Sequence, residues 1–307
     1  MSELENENTE DDRKIALRYE IIKSLTGAAD EKDESYAKVG KYYYCSAPSS
    51  LYKYYSDKTR NLDNIKKNKM WFSAPCNFND VFDCDISIDE RKIFEYIVKN
   101  NPSGIEIRNG SPMWKKLKAV VHKELNSIRT AIEKSRDITG VSCFSENEDS
   151  LLMWAHYANN HRGFCVEYDL LKINEILKFA PIPVIYSNDR VSLISLSIEK
   201  NTEKIEKDVS ALLIKALTSK SSEWNYENEW RIVRDNAACG DRWDYEKNGA
   251  LLDMITPSSI ILGCEIQPDF ERDFKEFCKN SQISLFKMEK DATQYKLNKK
   301  PILEFND

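Results

Sequence analysis

The chain predicts an α+β fold, and three observations carry that prediction. Short aromatic and β-branched runs of strand type outnumber the helical segments. Strands and helices interleave irregularly rather than as repeated βαβ units. Only nine glycines occur among 307 residues, with no GxGxxG and no GxxxxGK[ST], so Rossmann and P-loop architectures fit poorly.

The elements follow in order. "SLYKYYS" (50–56) is a strand because aromatic residues dominate it. "TRNLDNIKKNK" (59–69) suits a short helix with Thr59 as N-cap. "MWFSAP" is a second strand stopped by Pro75, and "NFNDVFDCD" (77–85) is a turn-rich loop. "ERKIFEYIVKN" and the long, charged "SPMWKKLKAVVHKELNSIRTAIEKSRD" are helices. "ITGVSCFS" (strand), "SLLMWAHYANN" (helix), "GFCVEYD" (strand) and "IPVIYS" (strand) come next, with Gly163 expected to let the helix end. A helix over 193–218 precedes "SSEWNYENEWRIV" (221–233), read as a strand, and "SSIILGCEI", read as another. A helix, "DFERDFKEFCKN", and a strand, "ISLFKME", close the series. Residues 1–41 read as an acidic disordered tail plus a short amphipathic helix (Ile15, Leu17, Tyr19, Ile22, Leu25) suited to partner docking. Residues 42–307 read as one α+β domain with a helical insertion at about 91–137.

Composition excludes several functions. A net charge of −6 offers no general basic field for a nucleic-acid backbone. The eight cysteines form no CxxC pair and read as reduced core thiols of a cytoplasmic protein. Three histidines without HExxH argue against a zinc site. No apolar run reaches the ~20 residues of a membrane span. No GxSxG elbow occurs.

Three stretches bear on chemistry. In "NFNDVFDCD" the acids lack EF-hand order and its glycine, which favours a tight turn with Phe78 and Phe82 inserted into the core. In "SLLMWAHYANNHRGFCVEYD", Trp154 and Tyr157 lie three apart on one helical face. The bland reading buries both rings, and the functional one sets them beside a cofactor. The third stretch has Glu227 and Glu229 two apart, on one face if the segment is a strand. Either Arg231 continues that face and neutralises one, or the pair serves a site that needs negative charge.

The segments "LYKYYS", "NLDNIKKNKMWFSAPCNFNDVFDCD", "VSCFSENEDSLLMWAHYANNHRGFCVEYD", "VIYS", "KSSEWNYENEWRIV" and "IILGCEI" together resemble a family known as domain of unknown function 2971. The opening strand–helix–strand also resembles ADP-ribosyltransferase domains. That resemblance implies a bent, split β-sheet core with helical insertions and a cleft that binds NAD. It places Lys53, with Tyr52 or Tyr54, at the first-strand position that holds a ribose, where those enzymes have histidine or arginine. Trp71 or Ser73 takes the nicotinamide-side position, Glu229 the catalytic one, and Glu227 the upstream place in a Glu-x-Glu. The activity implied is NAD cleavage with transfer of ADP-ribose to a macromolecular acceptor, in a toxin or anti-phage effector, without a metal. A non-catalytic nucleotide-binding sensor or interaction module of the same fold is the alternative, since lysine donates hydrogen bonds but accepts none. A magnesium phosphodiesterase built on the 77–85 loop ranks below both.

Overall fold

The computed structural model describes residues 47–101, 105–177, 180–193 and 205–305, with backbone only over 205–210. The expected tail, the N-terminal helix and the expected domain start at 42 lie outside the described residues, as do Cys45 and residues 194–204 of the expected 193–218 helix.

The architecture is α+β. Eleven strands form one sheet: β1 (Ser50–Tyr55), β2 (Lys69–Ser73), β3 (Thr139–Ser145), β4 (Phe164–Asp169), β5 (Ile182–Pro183), then β8 (Glu229–Asp235), β9 (Trp243–Asp244), β10 (Gly249–Asp253), β11 (Ser259–Leu262), β12 (Ser284–Lys290) and β13 (Leu297–Leu303). β6 (Ile185–Ser187) and β7 (Ser219–Ser221) pair separately and in parallel. The main order is β13-β12-β11-β4-β1-β3-β2-β10-β9, and β5 and β8 lie off this path. Helices α1 (Thr59–Lys66), α2 (Glu90–Lys99), α3 (Pro112–Asp137), α4 (Leu151–Tyr157), α5 (Leu170–Leu177), α6 (Ile205–Leu217), α7 (Asn236–Cys239) and α8 (Pro268–Ser281) complete it. Among the described residues, no helix is long and apolar enough to cross a membrane.

Strand alternation gives the sheet two apolar faces. Leu51, Val166, Ile260 and Leu285 point to one, where Leu62 and Ile65 of α1 and Phe274 and Cys278 of α8 cover them. Tyr54, Cys165, Ile261 and Met288 point to the other, covered by Trp154. The helices of the expected insertion pack on their own cluster, Ile93, Phe94, Val121, Leu125 and Ile132, together with Leu212 and Ala216 of α6.

The ladder is interrupted at one place. β8 covers one edge of β3 over seven pairs, Thr139↔Asp235 to Ser145↔Glu229. On the opposite edge β2 meets β3 only at Ser73↔Val141, and β1 meets it only at Tyr52↔Ser145. β1 instead pairs along its whole length with β4. Between these single contacts the edge of β3 stands open.

Several local expectations need correction. Residues 221–233 are not one strand: Ser222–Glu227 form a 3-10 turn, Asn228 is left-handed (φ 42), and β8 begins at Glu229. Thr59 is the first helical residue, with Lys58 at the N-cap. Phe82 is 57% exposed rather than inserted in the core, and Cys76 is an exposed thiol. Residues 219–221, 243–244, 249–253 and 297–303 form strands where the sequence predicted none. Gly163 does not end α4 by a left-handed turn. Asn159, Asn160 and His161 take the positive φ values, 47, 55 and 65. Glycine is needed at 163 for close approach, because a Cβ there would sit 2.0 Å from the Tyr55 carbonyl oxygen. Gly163→Ala is therefore expected to lower stability by about 1–3 kcal/mol, the usual cost of overpacking against backbone. A denaturant midpoint equal to wild type would show that β1 yields at no cost.

Candidate active site

The open edge of β3 is the wall of a cavity of about 540 Å³, within the usual ~300–1,000 Å³ of ligand pockets. Tyr52 and Tyr54 line it from one parity of β1, and Lys53 and Tyr55 from the other. Adjacent residues of a strand reach a common hollow only where the sheet has parted, so the cavity occupies the gap that β1 leaves beside β3. Cys143 lies in that gap with its carbonyl unmatched by a neighbouring strand, and Lys53 Nζ donates to it at 2.9 Å. A side chain thereby satisfies a backbone acceptor that the ladder abandons. Trp71 and Ser73 of β2 border the same hollow. Gly249 makes room for the indole, since a Cβ there would lie 2.4 Å from its Cζ2.

The two glutamates form one buried end of the cavity, each 3% exposed. They do not share a strand face. Glu227 ends the 3-10 turn, Glu229 opens β8, and the left-handed Asn228 between them turns both carboxylates onto Lys220. Lys220 Nζ donates to Glu227 Oε2 at 2.5 Å and to Glu229 Oε2 at 3.1 Å. Arg231, fully buried and two residues along β8, donates from Nε to Glu229 Oε1 (2.7 Å) and from Nη2 to Glu229 Oε2 (2.9 Å). The same guanidinium makes a second fork to Asp83, Nη1 to Oδ1 at 2.9 Å and Nη2 to Oδ2 at 2.8 Å. Nη1 also donates to the Leu217 carbonyl at 2.9 Å.

Three carboxylates thus meet two cations, and Glu227 is the one that Arg231 does not bond. Burial would push the Glu229 carboxyl up, but Arg231 and Lys220 overcome it and hold the pKa far below the ordinary range. Burial raises Glu227, Lys220 opposes this, the charge on Glu229 adds to it, and the net shift is upward. Tyr157 Oη donates to Glu227 Oε1 at 2.5 Å, with its own pKa raised by burial and by that carboxylate. Burial opposes the charge on Lys220, yet Glu229, Glu227 and Asp83 outweigh it and raise the pKa. Arg231 and Lys220 thus hold Glu229 ionised, while the Glu227 carboxyl is shifted upward.

Lys53 differs from Lys220. Among the described residues no carboxylate lies within 4.0 Å of its ammonium, which sits 5.8 Å from the Tyr55 ring centre and 5.2 Å from that of Phe144. Such ring contacts return about 0.5–2 kcal/mol, against several kcal/mol for removing an ion from water. Burial accordingly lowers the Lys53 pKa, with the charges of Cys143 and Glu229 opposing that shift. The residue as a whole is only partly buried and borders the cavity.

Of the residues singled out in the sequence, Tyr52, Lys53, Tyr54, Trp71, Ser73, Tyr157, Glu227 and Glu229 border this one cavity. Trp154 does not. It is 0% exposed, packs edge-on to Tyr54 at 5.2 Å and donates from Nε1 to the Glu148 carbonyl at 2.8 Å. Its bland reading is the correct one; α4 turns Trp154 inward and Tyr157 to the cavity. Nothing local marks Lys220, or Asp83 among the acids of the 77–85 loop, as a partner of Arg231 and the glutamates. Asp80 Oδ1 accepts from Phe82 N at 2.9 Å, the turn role expected of this loop, whereas Asp83, three residues on, is buried against Arg231. Among the described residues, no three His, Cys, Asp or Glu side chains gather to hold a metal.

The two glutamates should respond oppositely to pH. A carboxyl with a lowered folded pKa contributes stability above its unfolded value, lost as pH falls through the folded pKa. A raised one favours the folded state while protonated, and that contribution is lost as pH rises. From about 4.5 upward, Glu227→Gln should therefore gain on wild type in unfolding free energy. Glu229→Gln should be destabilised at neutral pH, with a deficit that shrinks below about 4.5. Parallel slopes for the two variants would contradict the assignment.

Comparison with known proteins bears on the segment carrying the α4–β4 unit, β7 and the two glutamates. No curated protein and no solved structure matches the chain. Residues 153–232 match the family model described as Protein of unknown function (DUF2971), which spans Tyr157, Lys220, Glu227, Glu229 and Arg231. Over residues 153–232 the chain is thus similar to the DUF2971 family.

Proposed function

We propose that the cavity beside β3 binds NAD as substrate and that the protein is an ADP-ribosyltransferase-like enzyme acting on a macromolecular acceptor. One observation carries this reading. Residues from the first strand (Lys53), the second strand (Trp71, Ser73) and a late segment (Glu227, Glu229) border a single hollow of about 540 Å³. An ADP-ribosyltransferase-type core, with a sheet split around its nucleotide, is the architecture this reading entails.

The charge arrangement supports it. A cavity wall with one more carboxylate than cation suits a ligand bearing positive charge, as the nicotinamide ring does, and a sugar that becomes cationic as the glycosidic bond breaks. The C1′–N bond breaks with its electron pair going to nicotinamide. The acceptor's nucleophilic atom forms the new bond to C1′ and releases its proton to Glu227. Tyr157 orients that carboxylate, and Glu229, locked by Arg231, supplies a fixed negative field. Trp71 offers a ring face beside the leaving group, and Lys53 has N–H groups to spare for ribose oxygens. Glu227 is thus the catalytic residue and Glu229 a positioning one, the reverse of the order implied by resemblance.

A second reading, a nucleotide-binding module without turnover, is favoured by the saturation of Glu229 with Arg231 and Lys220. Incubation with labelled NAD and a whole-cell lysate separates the two. The enzyme should label an acceptor and release nicotinamide, and Glu227→Gln should lower the rate about 10²–10³-fold. A thermal shift with NAD but no nicotinamide release from folded wild type would support the module. Neither shift nor release would defeat both.

A further inference from the structure

We propose that Lys53 is a nucleophilic amine that forms an imine with an aldehyde or ketone entering the cavity. The inference is independent of NAD binding and of the reaction above.

Four observations place a reactive lysine here. First, Lys53 lacks a counter-ion within 4.0 Å among the described residues, whereas Lys220 in the same cavity has three carboxylates. Buried lysines without a partner are rare, because the charge is left uncompensated. Second, its amine lies 5.8 Å from the Tyr55 ring centre and 5.2 Å from that of Phe144, an apolar setting of the kind that activates lysine nucleophiles by desolvation. Third, among the described residues its one hydrogen bond goes to the Cys143 carbonyl, a contact that a neutral amine keeps. That bond orients the nitrogen and leaves its lone pair and second N–H unengaged. Fourth, the residue borders a cavity, so a small carbonyl compound has room to reach it.

The titratable groups acting on this amine are few. Cys143 lies beside it on β3, and Glu229 on β8 is already held by Arg231 and Lys220. Neither offsets the burial that favours the neutral form. The chemistry balances without an oxidant or reductant. The Nζ lone pair forms the C–N bond, and one amine hydrogen moves to the carbonyl oxygen. That oxygen then leaves as water with the second hydrogen, giving C=N.

The test uses the intact protein and a limiting amount of propanal with cyanoborohydride, which reduces imines, followed by peptide mapping from pH 6 to 10. Lys53 should be alkylated at least tenfold faster at pH 7 than exposed lysines such as Lys99 and Lys300. Its rate should level off at a lower pH than theirs. Lys53 reacting no faster than those lysines, or remaining unmodified while they react, would overturn the proposal. Wild-type protein suffices, so the outcome does not depend on whether a Lys53→Met variant folds. Because NAD is absent throughout, failure here and failure of the transferase reading are separately recognisable.

Discussion

The Arg231 guanidinium is the contact on which the site is built. It is buried, and its five N–H donors are spent on Glu229, Asp83, Cys84 and the Leu217 carbonyl. These partners come from β8, the 77–85 loop and the end of α6. Planar forks to two carboxylates fix distance and orientation together, which a lysine cannot do. Removing one partner of such a buried network typically costs about 3–5 kcal/mol, because the charge left behind has nothing to solvate it. The network is thus stronger evidence for a fixed geometry than for net stability.

That fixed geometry creates the asymmetry between the two glutamates. Glu229 is saturated and ionised, whereas Glu227 shares Lys220 with it and faces Tyr157. Like charges packed side by side cannot both be fully compensated by two cations already committed to Asp83 as well. A carboxyl shifted upward beside one held far below the ordinary range follows from that imbalance. The open edge of β3 supplies the space. Had β1 continued its pairing beyond Tyr52↔Ser145, the ladder would have filled the gap, and the carbonyl of Cys143 would have had no use for Lys53.

Much of the fold was legible because it is local. Aromatic runs became β1, β2 and β4, and the two segments read as helices of the insertion became α2 and α3, where Asp89 and Ser111 serve as N-caps. What failed was also local in form but tertiary in cause. "SSEWNYENEW" has strand-like residues yet forms a 3-10 turn, since Asn228 takes a left-handed conformation that aims Glu227 at Lys220. Trp154 and Tyr157 have the same helical spacing argument for a shared face, but the inner one meets Tyr54 and the outer one meets Glu227.

By itself the sequence determined the residue types of the site and an α+β pattern, because periodicity and composition are properties of neighbouring residues. It also held the proximity of Glu227, Glu229 and Arg231, which a few bonds enforce. Only the tertiary structure decided that Asp83 and Lys220, 148 and 11 positions before Arg231, would join them. It alone decided that, among the described residues, Lys53 would have no carboxylate within 4.0 Å. Charge pairing in a buried site depends on which distant groups share the low-dielectric space, and no local pattern encodes that choice.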